Sequence, residues 1–270
     1  MQTFLRRSTR SVVVLIALLV VCISAGMTTY ADSPGTQDSF PAVAAQSSGA
    51  VTGIDGQPAG EVTVGGQVVM RIRSAMGGFT SVQRAQMVAS RLQGFFQHGL
   101  TADSIAPGFM NGEVVVEAKE GLLVTVDQGT AQGNGSSRLE LAVAWANNLR
   151  QSLDVPLLPW HETLLTAIRS YKDATVVKGL ASWYGKELSG AKTSSDEVFN
   201  PSDFTAAHRT LPFGTRLLVL NPANGHTVVV RINDRGPHIR GRVLDVSLAA
   251  ARVLGIVGQG VAYVEAYVLP

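Results

Sequence analysis

Four ionisable side chains fall within a short stretch near the end of this 270-residue chain, namely Glu197, His208, Asp234 and Asp245. Each stands in a polar cluster between short apolar runs, so loops at one end of a small barrel can bring the four together. Carboxyl groups whose pKa values are tuned by such neighbours perform acid–base chemistry. Cleavage of a glycosidic bond is one such reaction, because an acid must protonate the departing oxygen while positive charge develops on the sugar.

Asp234 is a candidate general acid and base of this group, a role that its position alone does not assign. It follows the apolar run 228–232 and directly precedes the turn formed by Arg235, Gly236 and Pro237. The alternative is a structural role, in which Asp234 caps that turn or pairs with Arg235. A catalytic role requires the Arg235 side chain to point elsewhere, because a close guanidinium favours the ionised form of a carboxyl group.

The other three residues are assigned supporting roles. Glu197 orients substrate or stabilises charge, unless it is ordinary solvated surface; a negative charge on Asp196 would raise the pKa of Glu197. Asp196 also tolerates a positive φ better than most residues, should the loop need one. His208 donates to a sugar oxygen or holds a carboxylate, or else is a buried histidine bonded to the backbone. Asp245 is predicted to anchor loop or helix backbone.

Aromatic and basic residues nearby are candidate substrate contacts. Trp183 and Tyr184 end a strand, and their ring faces either stack on sugar rings or pack in the core. Arg209 and Arg235 are predicted to contact polar groups of the substrate, and His238 to hydrogen-bond a sugar or face solvent. No cofactor and no metal site are predicted, because the histidines lack compact ligand spacing.

Composition excludes some classes of protein. The only cysteine is Cys22, so an intramolecular disulfide is impossible. The formal net charge is +2, but three of the 22 basic residues lie within residues 1–31, where there is no acidic residue. The remaining 19 basic and 20 acidic residues give −1, which argues against a nucleic-acid partner.

The N-terminal segment, residues 1–31, is predicted to be a signal peptide or a membrane anchor. Arg6, Arg7 and Arg10 precede an apolar run from Val12 to Val21, and small residues follow up to position 31. Cleavage after Ala31, retention as an anchor and lipidation at Cys22 stay open, but each places the rest of the chain in the cell envelope. Residues 32–59 are rich in Ser, Gly, Ala, Gln and Pro and are predicted to be a flexible tether.

Residues 60–155 are predicted to form a small α+β domain. Its strands flank a Gly65-Gly66 turn, one helix starts at Ser81, two more strands follow, and Ser136 or Ser137 caps a helix that ends near Leu153. The domain shows no catalytic constellation, so we expect it to contact partners such as cell-division or spore-wall envelope proteins. Residues 156–175 are predicted to be a linker or a short connecting helix.

Residues 176–270 are predicted to form a compact, mainly β domain. The β-rich runs are Val176–Tyr184, Arg216–Leu220, Thr227–Ile232 and Val261–Val268. Asn224-Gly225 between two of them is a hairpin signal. Ser247 is placed to cap a helix that Gly255 closes. A small barrel with one or two short helices is the architecture that fits these elements.

These 95 residues also resemble a known family, the rare lipoprotein A (RlpA) family. The resemblance covers residues 178–268 and rests on motifs whose order and spacing agree with that family. The matching motifs are Gly179-Leu-Ala-Ser-Trp-Tyr-Gly185, Thr193, Glu197-Val-Phe199, Ala206-Ala-His-Arg-Thr-Leu-Pro-Phe-Gly-Thr215, Asn224-Gly225, Val230-Arg-Ile-Asn-Asp-Arg-Gly-Pro237, Gly241-Arg242 and Leu244-Asp-Val-Ser247. The sequence departs from the family at Asp196, where a glycine is usual, and at His238, where an aromatic residue is usual.

The resemblance implies a six-stranded double-psi β-barrel. It also implies an endolytic peptidoglycan lytic transglycosylase that cleaves MurNAc–GlcNAc bonds, leaves 1,6-anhydro-MurNAc ends and prefers strands without stem peptides. One acid–base group suffices for that reaction, because the 6-hydroxyl of the substrate is the nucleophile. Two alternatives stay open: a non-catalytic, expansin-like wall-binding module, and an inverting hydrolase whose carboxyl groups, Asp234 and Glu197, lie roughly 6.5–9.5 Å apart.

Overall fold

The computed structural model of the protein describes residues 41–270, which form a small α+β domain followed by a closed β-barrel. The predicted signal or anchor, residues 1–31, and residues 32–40 lie outside the described part. None of the helices between residues 41 and 270 combines the length and the hydropathy that a membrane-spanning helix requires.

The α+β domain contains two antiparallel three-stranded sheets and four helices. The first sheet consists of β1 (Val43–Thr52), β2 (Pro58–Val64) and β3 (Gln67–Ile72), and the second of β4 (Ala106–Met110), β5 (Glu113–Ala118) and β6 (Gly121–Thr125). The helices are α1 (Ser81–Gln97), α2 (Gln128–Gly133), α3 (Arg138–Ser152) and α4 (Trp160–Ser170). At Gly60 the backbone of β2 lies so close to Ser81 that a β-carbon would meet the Ser81 carbonyl oxygen at 2.2 Å, so only glycine fits there.

The prediction of a flexible tether over residues 32–59 is wrong for its second half. Strand β1 pairs with β2 in antiparallel register from Val43↔Val64 to Ser47↔Gly60. Because β1 is an edge strand and buries only two side chains, Val43 and Ser48, its sequence lacks apolar alternation. Backbone pairing rather than side-chain burial therefore holds this strand in place.

Both long helices of this domain begin at a reciprocal cap. Thr80, rather than the predicted Ser81, caps α1: its hydroxyl accepts from the backbone N–H of Gln83. Ser81 is the first helical residue instead, and its hydroxyl donates to the Pro58 carbonyl. The predicted cap at Ser137 is confirmed, with the carboxylate of Glu140 accepting from the Ser137 N–H.

The segment from residue 156 to 175 is part of the core. The predicted connecting helix is confirmed as α4, but the interpretation as a linker is wrong, because Leu164 and Ile168 are fully buried in the core of the α+β domain. Their spacing of four residues places both on one face of the helix.

The predicted six-stranded barrel is confirmed. Its strands are β7 (Val176–Trp183), β8 (Thr205–Ala207), β9 (Arg216–Leu220), β10 (Thr227–Asp234), β11 (Arg242–Val246) and β12 (Val261–Val268). They close in the order β10-β8-β11-β7-β12-β9, with β10/β8 and β11/β7 parallel. Helix α5 (Leu248–Leu254) starts at the predicted Ser247 cap and ends at Gly255, whose φ of 71° is left-handed.

Alternating side chains of the barrel strands belong to two different cores. Leu217 and Val219 of β9 point into the barrel. The outward-facing apolar residues of β9, β10 and β12 instead pack against the core of the α+β domain; they are Leu218, Val229, Tyr267 and Leu269. The two domains therefore share one apolar interface.

An ion pair closes this interface at its polar edge. The guanidinium of Arg216 on β9 donates to both oxygens of Glu140 on α3, at 2.7 Å for the Nη2–Oε1 contact. Because the same carboxylate completes the cap of α3, Glu140 links a helix start in one domain to a strand of the other. Its side chain is only 5% exposed.

We expect Arg216→Ala to lower the free energy of unfolding by about 2 kcal/mol, because it leaves the buried Glu140 carboxylate without its cation. Lys192→Ala is the control, since its pair with Asp196 is almost fully solvated and should contribute nothing measurable. Urea unfolding of the parent and both variants checks this. Equal midpoints for all three would show that the interface does not depend on the pair.

Candidate active site

Asp234 is the last residue of β10, and one of its two carboxylate oxygens is fully occupied. Oδ1 accepts from the Ser194 N–H at 2.8 Å, the Ser194 hydroxyl at 2.6 Å and the Arg235 N–H at 2.8 Å. Within residues 41–270 no group donates to Oδ2 and no cation pairs with the carboxylate. The arrangement orients Asp234 and leaves Oδ2 without a hydrogen-bond partner among the described residues.

A tight turn brings Ser194 to this position. The Thr193 N–H donates to the Glu197 carbonyl and the Asp196 N–H to the Thr193 carbonyl, at 2.9 and 3.0 Å. Asp196 has a φ of 64°, so the expectation that this site tolerates a left-handed aspartate is confirmed.

The Arg235 side chain points away from Asp234, as a catalytic role requires. Its guanidinium donates to the carbonyls of Leu211 and His208 at 2.9 and 3.3 Å. It also lies 3.7 Å from the ring centroid of Phe213, a cation–π contact. Arg235 thus fixes the 208–213 loop, and its predicted contact with substrate stays a prediction.

Glu197 is held in a bidentate ion pair. Arg231 donates to its two oxygens at 2.6 and 2.8 Å, and Asn233 donates to Oε2 at 3.1 Å. The hydrogen bond from Arg231 lowers the pKa of Glu197. The expectation that Asp196 would raise it is wrong, because the Asp196 side chain is 90% exposed and lies toward Lys192.

His208 connects to Asp234 through the backbone: its N–H donates to the Asp234 carbonyl at 3.2 Å. Nδ1 of its ring faces the backbone N–H groups of Thr210 and Leu211, at 3.2 and 3.0 Å. Burial, with added repulsion from Arg235 and Arg209, lowers the pKa of His208. The ring is therefore neutral at pH 7 and, since Nδ1 accepts, carries its proton on Nε2.

Asp245 lies on β11 beside Ala207 and is bound by side chains, not by the loop or helix backbone we expected. The Ser182 hydroxyl donates to Oδ1, and Arg242 lies 3.4 Å from Oδ2. Ser182 lies opposite Asp245 in the pairing of β7 with β11, and Arg242 is three residues earlier on β11 itself. Its structural role thus consists of joining β7 to β11.

Within the described residues, no three His, Cys, Asp or Glu side chains are grouped so that they could hold a metal ion. Glu197 and Asp245 each pair with an arginine. Burial raises the pKa of the Tyr184 hydroxyl, and the charges of Asp234 and Asp245 add to the effect.

Known families match both domains. A family model described as "Lytic transglycolase" matches residues 176–266, and a model for a domain of unknown function matches residues 61–155. A protein of Synechocystis sp. named "Probable endolytic peptidoglycan transglycosylase RlpA" is 39% identical over 194 residues, covering 67% of this chain and 60% of that protein. The barrel domain belongs to the RlpA family.

Further relatives bear the same name. One from Nostoc sp. is 33% identical over 238 residues, and the "Endolytic peptidoglycan transglycosylase RlpA" of Pasteurella multocida is 49% identical over 87 residues, or 32% of this chain and 30% of that protein. The chain spans 60% and 64% of the Synechocystis and Nostoc proteins. Among solved structures, a Clavibacter michiganensis expansin matches with 21% identity and a TM-score of 0.31, covering 36% of this chain and 51% of that one.

In the RlpA domain, several residues that were predicted to contact substrate contact other parts of the protein. Trp183 packs against the barrel core, and Tyr184 meets Phe199 edge-on with ring centroids 4.7 Å apart. Arg209 donates to the carbonyls of Pro237 and Ile239, in the loop after β10, and of Arg242, at the start of β11. His238 is exposed on that loop, and sugar binding by these four residues stays a prediction.

Three residues of the site were missed from the sequence. Arg231 and Asn233 hold Glu197, and Ser194 holds Asp234. Alternation along β10 was the signal for the first two, because polar residues at 231 and 233 interrupt an apolar strand on its outward face. Nothing in the sequence distinguishes Ser194 from the adjacent Ser195.

We expect nuclear magnetic resonance to find His208 titrating below 6.5, with the proton of the neutral ring on Nε2. Protonation as the pH falls through this lowered value would convert Nδ1 from acceptor to donor and break its contacts with Thr210 and Leu211. A His208 value above 6.5, or a proton on Nδ1 of the neutral ring, would contradict the assignment.

Proposed function

We propose that this protein cleaves peptidoglycan glycan strands as an endolytic lytic transglycosylase, with Asp234 as its acid and base. The observation that carries the proposal is the carboxylate of Asp234. It is oriented through Oδ1 by uncharged donors, has no cationic partner within the described residues, and keeps Oδ2 free. Membership of the RlpA family and the names of the relatives support the choice of substrate.

The reaction needs no added water. Protonated Oδ2 of Asp234 gives its proton to the glycosidic oxygen as the bond from the MurNAc anomeric carbon to that oxygen breaks. The carboxylate then takes the proton of the MurNAc 6-hydroxyl, whose oxygen bonds to the anomeric carbon. The products are a new GlcNAc 4-hydroxyl end and a 1,6-anhydro-MurNAc end, and Asp234 is protonated again.

The neighbouring groups suit the charge changes of this sequence. Glu197, kept ionised by Arg231, is a fixed negative charge that stabilises the oxocarbenium-like centre. His208, neutral with its proton on Nε2, is a donor for a sugar oxygen. Preference for strands without stem peptides and a location in the cell envelope, where peptidoglycan lies, are part of the proposal. The proposal also includes contacts of residues 60–155 with other envelope proteins and anchoring through residues 1–31.

The direct test is mass spectrometry of products from peptide-free glycan strands incubated with the purified protein. We expect anhydro-muramic ends from the parent and a loss of rate of about 10²–10⁴-fold for Asp234→Asn, which cannot exchange the proton. The matched control is Asp196→Asn, because asparagine also tolerates a positive φ and that side chain is exposed.

The outcomes separate three functions. Anhydro ends from the parent and the control alone support the proposal. Reducing ends would make the protein a hydrolase. Intact strands retained on the protein would make it a wall-binding module, and an active Asp234→Asn would remove Asp234 from the mechanism.

A second prediction concerns Glu197. Glu197→Gln should lower kcat by about 10²-fold, because a neutral amide cannot stabilise the developing positive charge.

The same variant tests the ion pair. Because the pKa of Glu197 is lowered in the folded state, its pair with Arg231 stabilises the protein above pH 4.5, and this stabilisation is lost as the pH falls through the lower, folded-state pKa. The stability difference between parent and variant, measured by urea unfolding, should therefore be largest near neutral pH and shrink below pH 4.5. A constant difference, or an unchanged kcat, would contradict this role.

A further inference from the structure

Two surface depressions meet where the α+β domain joins the barrel. One has a volume of about 360 Å³ and the other about 420 Å³, and the same three side chains, Glu140, Trp160 and Arg216, line both. We call the combined depression the Trp160 trough. It belongs neither to the α+β domain nor to the barrel alone, because Trp160 begins α4 and Arg216 begins β9.

Strand β10 connects the trough to the site around Asp234. Arg231 lines the trough and also holds Glu197 through two hydrogen bonds. Val229 lines the trough two residues earlier on the same outward face. From Val229 to Asp234 the strand extends about 17 Å, which exceeds the length of one sugar ring. A linear ligand at Asp234 that follows β10 therefore reaches the trough.

The trough presents aromatic surface. Trp160 is 37% exposed, and Phe204, the residue before β8, is 49% exposed. Trp160 is the first residue of α4 and follows the N-cap Pro159. Exposed aromatic rings flanked by polar groups are suited to stacking against the apolar faces of sugars.

The arginines of the trough are already paired. Each binds a glutamate: Arg71 binds Glu61, Arg216 binds Glu140, and Arg231 binds Glu197. Asp203 lines the trough as well. The paired guanidinium and carboxylate groups still offer hydrogen-bond donors and acceptors at their edges. Together with the aromatic surface, these polar edges suit a polyhydroxylated, N-acetylated chain.

We propose that the Trp160 trough is a distal binding site for the glycan strand, in which Trp160 stacks on a sugar ring away from the bond that is cleaved. The inference rests on the proposed function for the identity of the glycan. It assigns the α+β domain a part in substrate binding, so the enzyme holds long strands across both domains and short ones in the barrel alone.

The test measures binding without cleavage. Full-length protein carrying Asp234→Asn is titrated by calorimetry with long peptide-free glycan strands and with a tetrasaccharide of the same sugars. We expect Trp160→Ala to weaken binding of long strands by about tenfold and to leave the tetrasaccharide unchanged. Trp160→Phe, which keeps an aromatic face, should recover most of the affinity.

Leu157→Ala is the matched control, because Leu157 is an exposed apolar residue (56%) three positions before Trp160 and does not line the trough. The proposal would be overturned if Trp160→Ala did not change the affinity for long strands. It would also be overturned if Trp160→Ala weakened binding of long strands and of the tetrasaccharide equally, or if Leu157→Ala weakened binding of long strands. Binding of a free acidic stem peptide that depends on Trp160 would assign the trough to peptide instead. The binding test does not measure cleavage. A parent protein without transglycosylase activity would therefore overturn the proposed function, but it would not show whether the Trp160 trough binds glycan.

Discussion

The alternation of side chains along β10 is the constraint on which barrel and site both depend. Val228, Val230 and Ile232 point inward and fill the barrel. Arg231 and Asn233, on the opposite face, hold the carboxylate of Glu197. A shift of one residue in the pairing of this strand would place Arg231 in the core and the valines on the outer face. The core therefore fixes the position of the Glu197 carboxylate, because the same register decides both.

The three carboxylates at this end of the barrel differ in their partners. Glu197 and Asp245 each lie against an arginine, at 2.6 and 3.4 Å. Asp234 accepts only from a serine hydroxyl and two backbone N–H groups within the described residues. In the proposed reaction Asp234 gives and takes a proton in each turnover, and no ion pair has to break when it does so.

Sequence-based prediction succeeded where the signal is local. The β9–β10 hairpin and the Ser247 cap each follow from a few adjacent residues, and Ser137 was one of the two caps predicted for α3. The positive φ of Asp196 was considered only because a glycine is usual there in the family. Strands β1, β4, β8 and β11 were not predicted. Strands β8 and β11 form by pairing with strands that are distant in sequence, whereas β1 lacks apolar alternation. Asp234 was selected on the family resemblance, because its position at a strand end also fits a turn cap. The contact of Ser194 with Asp234 spans 40 residues and depends on the folded turn, which no local pattern shows.

The outward apolar face of the barrel has a consequence for evolution. Leu218, Val229, Tyr267 and Leu269 are covered only because the α+β domain lies on them. A gene that encoded the barrel without the α+β domain would produce a protein with an exposed apolar patch, and such a patch promotes self-association. A barrel that is separated from this α+β domain would therefore need polar side chains, or another protein surface, over this face in order to stay soluble.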